Sequence, residues 1–112
     1  MRAGYRGPVA LLIGPDTLSG GETFAMALMK RTPRVTSIGE NTQGVFSDVW
    51  GRKLPNGWTF GLPTERYLTG AGESFDGRGV SPDLRVAVYP HSDLEQRRDG
   101  AVERAIRTLG GR

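Results

Sequence analysis

Ser19 is the residue of this chain best placed to do chemistry. It lies in the segment TLSGGE (17–22), between an apolar run at 9–13 and an apolar segment that starts at Glu22. A serine on a strand-to-helix turn exposes its hydroxyl where the backbone N–H groups that follow can meet an oxyanion. Ser19 is therefore a candidate nucleophile, and the Gly20 N–H is a candidate oxyanion donor. The same turn also suits a helix cap, in which the Ser19 hydroxyl bonds the free N–H groups of the first turn.

No basic side chain is expected near Ser19, although a serine nucleophile needs a general base within hydrogen-bond reach. Lys30 follows Ser19 along the predicted helix at about 16 Å, given a rise of 1.5 Å per residue. Lys53 borders a predicted exposed turn, and His91, the single histidine, precedes the terminal segment. The chain by itself therefore predicts neither a Ser/Lys nor a Ser/His pair.

Glu65 is the carboxylate that we consider for a supporting catalytic role, at the mouth of a predicted strand. Two interpretations stay open: a group that orients a catalytic residue, or a surface carboxylate paired with Arg66 or another arginine. Glu22 suits the positive N-terminus of the predicted helix. The acidic residues lack the spacing of a calcium loop, no histidine–carboxylate cluster suggests zinc, and no dinucleotide fingerprint occurs. We therefore expect no metal and no cofactor.

Composition predicts one domain over residues 1–112, with a modest core. The net charge is +3, and all the basic residues except Lys30 and Lys53 are scattered arginines, so nucleic-acid binding is not expected. The apolar runs are far shorter than the ~18 residues that span a membrane. The absence of cysteine excludes a disulfide scaffold. The 17 glycines among 112 residues are about twice the usual share of ~7%, which indicates many turns.

The elements around Ser19 predict a βαβ unit. The apolar runs at 9–13 and 35–38 read as buried parallel strands, and 22–31 as the helix between them. Because 24–29 is apolar on every side, we expect this helix to be buried nearly all round. These elements indicate an α/β fold.

A protruding β-hairpin is predicted in the middle of the chain. Strands at 45–52 and 58–62 flank the turn LPNG (54–57), and Asn-Gly is a strong hairpin signal. Its aromatic residues Trp50, Trp58 and Phe60 are expected to be half-buried in a sheet, with a ligand-binding shelf as the alternative.

The last third of the chain is expected to hold short elements. Segment 66–69 reads as a further strand that turns at 70–72, 77–83 as a loop, and 84–88 as a last strand. Asp99 is a good N-cap for a final helix that ends at Gly110. One face of that helix carries Val102, Ala105, Ile106 and Leu109.

The order of these motifs over residues 8–83 resembles the C-terminal part of the catalytic domain of tail-specific (C-terminal processing) serine peptidases, including the tricorn-core and retinoid-binding-protein relatives. The matching motifs are Ser19 three residues before Glu22, GENTQG (39–44), LPNG (54–57) and GRGVSPD (77–83). The resemblance implies the C-terminal half of a ClpP/crotonase-like spiral of βαβ units, with the upstream part outside this chain. It also implies a peptide or protein substrate.

The chain departs from the classical members at the base. Where those have a lysine after the glycine-rich segment and a glutamine four residues later, this chain has Val45 and Val49. Tricorn-like relatives use an upstream histidine with a supporting glutamate, and the resemblance makes Glu65 the candidate for that carboxylate. Members of the family are often secreted or in the cell envelope.

Two functions follow as expectations. The first is a serine-type endopeptidase of the C-terminal processing kind, with Ser19 as nucleophile and a base from outside this chain or from a second subunit. The second is a non-catalytic peptide- or ligand-binding module on the same fold, in which Ser19 is a helix cap and the hairpin is an interaction surface. Strand edges left open also make a homo-oligomer possible.

Overall fold

A three-stranded parallel sheet organises the molecule, and the computed structural model describes residues 4–29 and 31–110 of it. The strands lie in the order β1 (Val9–Ile13), β2 (Val35–Gly39) and β5 (Leu84–Arg85). β1 pairs with β2 in register from Val9 with Val35 to Ile13 with Gly39. The predicted parallel pair and the α/β class are therefore confirmed.

The helix that connects β1 to β2 is α1 (Gly20–Leu28), which packs on the sheet by one face only. Ala25 joins Ile13, Phe46, Phe75 and Val80 in the core. The expectation that this helix is buried nearly all round is wrong, because 59% of Phe24 is exposed and Met29 is largely exposed too. No other described element covers those faces. Lys30 lies outside the described residues.

The final helix is α3 (Gly100–Thr108), and it packs on β1 and β2. Asp99 caps it as predicted, since its carboxylate accepts from the N–H groups of residues 101 and 102, both at 3.0 Å. The predicted apolar face is only partly right: Ala101 and Ala105 are buried, whereas Val102, Ile106 and Leu109 remain exposed. The small alanines allow the helix to approach the sheet closely. A short helix, α2 (His91–Glu95), precedes it on the surface.

The hairpin forms as predicted from β3 (Val49–Lys53) and β4 (Thr59–Pro63), paired antiparallel. Its first strand starts at 49 rather than 45 because the backbone of Val45 bonds to the Ser19 turn instead. All ten strand residues are exposed, and so is Trp58 in the turn before β4. The expectation of half-buried aromatic residues is wrong for Trp50 and Trp58, whereas Phe60 is 41% exposed.

The hairpin protrudes because no other helix or strand of the described ranges packs extensively on it. The radius of gyration is 17.6 Å, whereas a compact chain of this length has about 13 Å.

Two predicted strands differ from the structure. Residues 66–69 form no strand: the Thr69 N–H bonds to the Glu73 carbonyl at 2.8 Å, within the turn that follows, rather than to a neighbouring strand. The chain turns at 70–72 as expected. The last strand ends at Arg85 rather than 88, because its continuation bonds to the residues that follow β2: the Val88 N–H donates to the Glu40 carboxylate at 2.9 Å. None of the described helices is long and apolar enough to cross a membrane.

Candidate active site

Two segments meet where β1 and β2 end. Both strands are parallel, so the chain leaves them at the same edge of the sheet, which is where sites form in such folds. The segment after β1 reaches Ser19, and the segment after β2 reaches Val45. They are joined by backbone hydrogen bonds from the Gln43 N–H to the Thr17 carbonyl (2.9 Å) and from the Ser19 N–H to the Val45 carbonyl (2.8 Å).

Ser19 lies at the N-cap position of α1 in an uncommon backbone conformation. Its φ is 49° and its ψ is −115°, which is a costly region for a residue with a Cβ. Ser19 and Glu22 are arranged as a capping box, in which the Ser19 side chain faces the Glu22 N–H and the Glu22 carboxylate accepts from the Ser19 N–H at 3.3 Å. The Glu22 N–H bonds instead to the Ser19 carbonyl at 2.9 Å, so the Ser19 hydroxyl makes no capping hydrogen bond. The hydroxyl is thus not consumed in the bond that the helix-cap interpretation requires.

The backbone N–H of Gly20 is the free donor of this turn. The N–H groups of residues 21–23 bond to the carbonyls of Leu18 and Ser19. The Gly20 N–H has no acceptor among the described residues, and a Cβ built on Gly20 would meet nothing within 4 Å. A donor that faces open space beside a serine hydroxyl can hold an anionic oxygen.

Glu22 is fully buried directly beneath this turn, which the sequence did not indicate. Instead of meeting solvent at the helix N-terminus, its carboxylate accepts four hydrogen bonds. In the sequence, Ser19 three residues before Glu22 indicates a helix N-terminus and gives no sign that Glu22 is buried. The donors are Thr42 Oγ1 (2.5 Å), Gly44 N (2.7 Å), Val45 N (2.8 Å) and Ser19 N (3.3 Å).

The loop at 77–80 supports this arrangement from the other side. The Val80 N–H donates to Thr42 Oγ1 at 2.7 Å, so the Thr42 hydroxyl both accepts from the loop and donates to Glu22. Gly44 has a φ of 82°, and a Cβ on it would lie 2.8 Å from the Gly79 nitrogen. The backbone approach between the two segments therefore needs glycine.

Of the candidate bases, the two within the described residues, Lys53 and His91, do not bond to this turn. Val45 holds the position beside Ser19, with 45% of its surface exposed. Lys53 ends β3 at the exposed hairpin, and His91 begins α2, where it contacts Glu95 at 3.2 Å. No hydrogen bond joins either to Ser19 within residues 4–29 and 31–110.

Glu65 is exposed and lies next to the base of the hairpin. Its backbone N–H donates to Ser47 Oγ at 2.9 Å. Its carboxylate makes no ion pair in the described ranges, so the predicted pairing with an arginine is not observed there; it accepts instead from the Tyr67 hydroxyl at 3.4 Å. The Glu65 charge, with a smaller effect of burial, raises the pKa of Tyr67.

An apolar cavity of about 540 Å³ brings Val45 and Glu65 together. Phe46, Val49 and Pro63 form its apolar wall. Ser19 does not line this cavity but is linked to it through its backbone bond to Val45. No cluster of acidic and histidine side chains able to hold a metal occurs in the part of the chain that the structure describes.

Comparisons with known proteins concern the family and the fold of the chain. Residues 2–86 match the model of peptidase family S41. No curated protein matches the chain. A structure from Parabacteroides merdae, described as a candidate peptidase, is similar at 28% identity and a TM-score of 0.80 over 91% of this chain. The photosystem II D1 C-terminal processing protease is 33% identical over 79% of this chain, with a TM-score of 0.58.

The tricorn protease shares the fold, with a TM-score of 0.76 over 93% of this chain at 23% identity. The chain spans only part of each of these structures: 31% of the Parabacteroides merdae protein, 23% of the D1 processing protease and 10% of the tricorn protease.

Proposed function

Because the chain belongs to peptidase family S41, we propose that it is the nucleophile-bearing part of a serine-type peptidase domain that hydrolyses peptide bonds in protein substrates. The observation that carries the proposal is the turn at Ser19, which combines a hydroxyl free of capping bonds with the free N–H of Gly20. Residues 1–112 then form one unit of a larger catalytic domain.

In this proposal the Ser19 hydroxyl oxygen attacks the carbonyl carbon of the scissile bond, and its proton passes to a general base. The carbonyl oxygen becomes an oxyanion that accepts from the Gly20 N–H. One such donor contributes about 10²–10³ in rate. The Ser19 N–H contributes nothing to the oxyanion, since it is bonded to Val45 and Glu22.

The base comes from another part of the protein or from a second subunit. Val45 supplies no proton acceptor, although it lies beside Ser19 and 45% of it is exposed. Glu65, which lines the same cavity as Val45, would orient that base. Its carboxylate forms no ion pair with an arginine of the described ranges and accepts there from the Tyr67 hydroxyl, which leaves it an acceptor for a base.

A second candidate function is a peptide-binding module without catalysis. Two observations favour it. A valine, Val45, lies beside Ser19 where catalysis would require a base, and the hairpin exposes 63% of Trp50 and 73% of Trp58. Exposed aromatic residues are typical of protein interaction surfaces.

Intact mass after incubation with a fluorophosphonate separates the two functions, on this chain and on the longest form of the protein that contains it. Ser19→Ala is the test variant. Ser92→Ala, in the surface helix α2, is the matched control. An adduct that disappears in Ser19→Ala and persists in Ser92→Ala supports the peptidase. An adduct in the longer form alone places the base outside this chain. No adduct in either form refutes an activated Ser19 and favours the binding module.

A further inference from the structure

The buried carboxylate of Glu22 takes no part in the chemistry proposed above, yet it lies under the nucleophile. We infer that Glu22 is the positioning residue of this site: it holds Ser19 in its reactive conformation and leaves the Gly20 N–H as the single donor offered to substrate. This inference rests on the proposed function of Ser19. Buried acids are rare unless their oxygens are fully paired. The donors that pair with Glu22 belong to the two segments that form the candidate site.

The carboxylate divides its bonds between the two segments of the site. Oε1 accepts from the Thr42 hydroxyl and the Gly44 N–H, both in the segment after β2. Oε2 accepts from the Val45 N–H and, at 3.3 Å, from the Ser19 N–H. The Glu22 side chain therefore fixes the distance between the turn at Ser19 and the backbone of Val45.

The bond to Ser19 has two consequences. A strained backbone conformation persists only where neighbouring groups hold it. The hydrogen bonds of the Ser19 N–H to Glu22 and Val45 hold the Ser19 backbone in this conformation. The same contacts keep this N–H away from an oxyanion. A carboxylate that was free to move would also repel the developing negative charge, whereas here four donors compensate it.

The arrangement requires a carboxylate rather than any polar group of similar shape. All four partners of Glu22 are donors. A glutamine has one acceptor oxygen, so in either orientation its NH₂ group would face two of those donors. Glu22→Gln therefore breaks the hydrogen bonds at one of the two carboxylate oxygens. A buried donor left without a partner is costly.

The variants follow from these contacts. Glu22→Gln disrupts the hydrogen bonds of the carboxylate directly. Thr42→Val removes one donor and leaves Glu22 in place, and Thr42→Ser retains the hydroxyl as its control. Glu40→Gln is the matched control for the first change. Within the described ranges the Glu40 carboxylate accepts one hydrogen bond, from the Val88 N–H, and an amide oxygen can also accept it.

Two measurements are made at equal folded fraction: amide hydrogen exchange by NMR, and the fluorophosphonate labelling rate in the longest form of the protein that reacts. In Glu22→Gln we expect the Ser19 amide to exchange about tenfold faster or more, as loss of a bond to a charged group predicts, while the β1 and β2 amides stay protected. Labelling should fall by about 10²-fold, as for a misplaced reacting group. Thr42→Val should show the same effects more weakly, and Thr42→Ser and Glu40→Gln should match the wild type.

Unchanged Ser19 exchange and unchanged labelling in both Glu22→Gln and Thr42→Val would overturn the inference, and Glu22 would then serve folding alone. If the wild-type protein forms no adduct, the proposed peptidase function fails. In that case the exchange of Ser19 still decides whether Glu22 holds the turn.

Discussion

Replacing Ser19 by glycine should stabilise the protein, although it removes the proposed nucleophile. At a φ of 49° and a ψ of −115°, Ser19 is in a region that glycine enters without steric cost. Its hydroxyl makes no capping bond that the substitution would lose. Ser19→Ala keeps a Cβ, and with it the strain.

The expected magnitude follows from two opposing effects. A non-glycine residue in a sparsely populated backbone region costs about 1–3 kcal/mol. Glycine recovers that cost but loses roughly 0.5–1 kcal/mol through the greater freedom of the unfolded chain. Ser19→Gly should therefore raise the free energy of unfolding by about 1 kcal/mol. Ser19→Ala should stay within about 0.5 kcal/mol of the wild type, as substitutions away from special features do.

Urea unfolding of the 112-residue chain measures both changes. Far-UV circular dichroism is the appropriate signal, because both tryptophans, Trp50 and Trp58, are exposed in the folded protein and report little on its core. With a slope of about 1–3 kcal/mol per molar urea, the midpoint of Ser19→Gly should rise by roughly 0.3–1 M. Neither variant should form the fluorophosphonate adduct.

A different pattern would refute this reasoning. If the Ser19 hydroxyl capped the helix, Ser19→Ala would cost about 1 kcal/mol and Ser19→Gly a few tenths of that amount. A destabilised alanine variant with a near-neutral glycine variant would therefore show that Ser19 is a helix cap and that its backbone is not strained.

Three further outcomes are expected. Val45→Lys should raise fluorophosphonate labelling by about 10²-fold or more by supplying a base beside Ser19; equal labelling in Val45→Met would show that the added amine is not responsible. Glu65→Gln should lower the pKa of Tyr67 in an absorbance titration, since the Glu65 charge is the main cause of its increase, and an unchanged curve would contradict their contact. Partial burial raises the pKa of Asp83, but its hydrogen bonds outweigh that effect and lower it below 3.8. Its stabilising contribution is therefore present at neutral pH and lost as the pH falls through the lowered pKa. Asp83→Asn should accordingly lower the urea midpoint at pH 7 and have little effect in strong acid.

Local features were predictable because their causes lie within a few residues. The apolar run of β1 ends at a glycine and a proline, and its predicted bounds, 9–13, are those observed. The hairpin turn depends on Gly57, whose φ of 87° suits glycine. Asp99 caps α3 because its carboxylate needs only the two amides that follow it. The turn at Ser19 was predictable as a turn for the same reason.

The hydrogen-bond partners of the site residues were decided by contacts between segments distant in sequence. Local sequence could not separate a nucleophile from a helix cap at Ser19, and in the folded chain the hydroxyl makes no capping bond while the backbone N–H bonds to Val45, 26 residues away. Nothing near Glu22 in sequence indicates burial, since its partners other than Ser19 follow a later strand. The position of Glu65 likewise depends on a distant segment, since its backbone N–H bonds to Ser47, 18 residues away.

The sequence by itself determined the α/β elements, their order and the position of the serine, because apolar periodicity, glycine turns and caps act locally. Tertiary structure decided which surfaces are covered. The helix α1 and the hairpin have the composition of buried elements, yet Phe24 and Trp58 are exposed, because burial depends on whether another element lies against them. It also decided that a glutamate from a helix N-terminus would join two loops beneath Ser19, since a buried carboxylate is stable only where the fold brings enough donors to it.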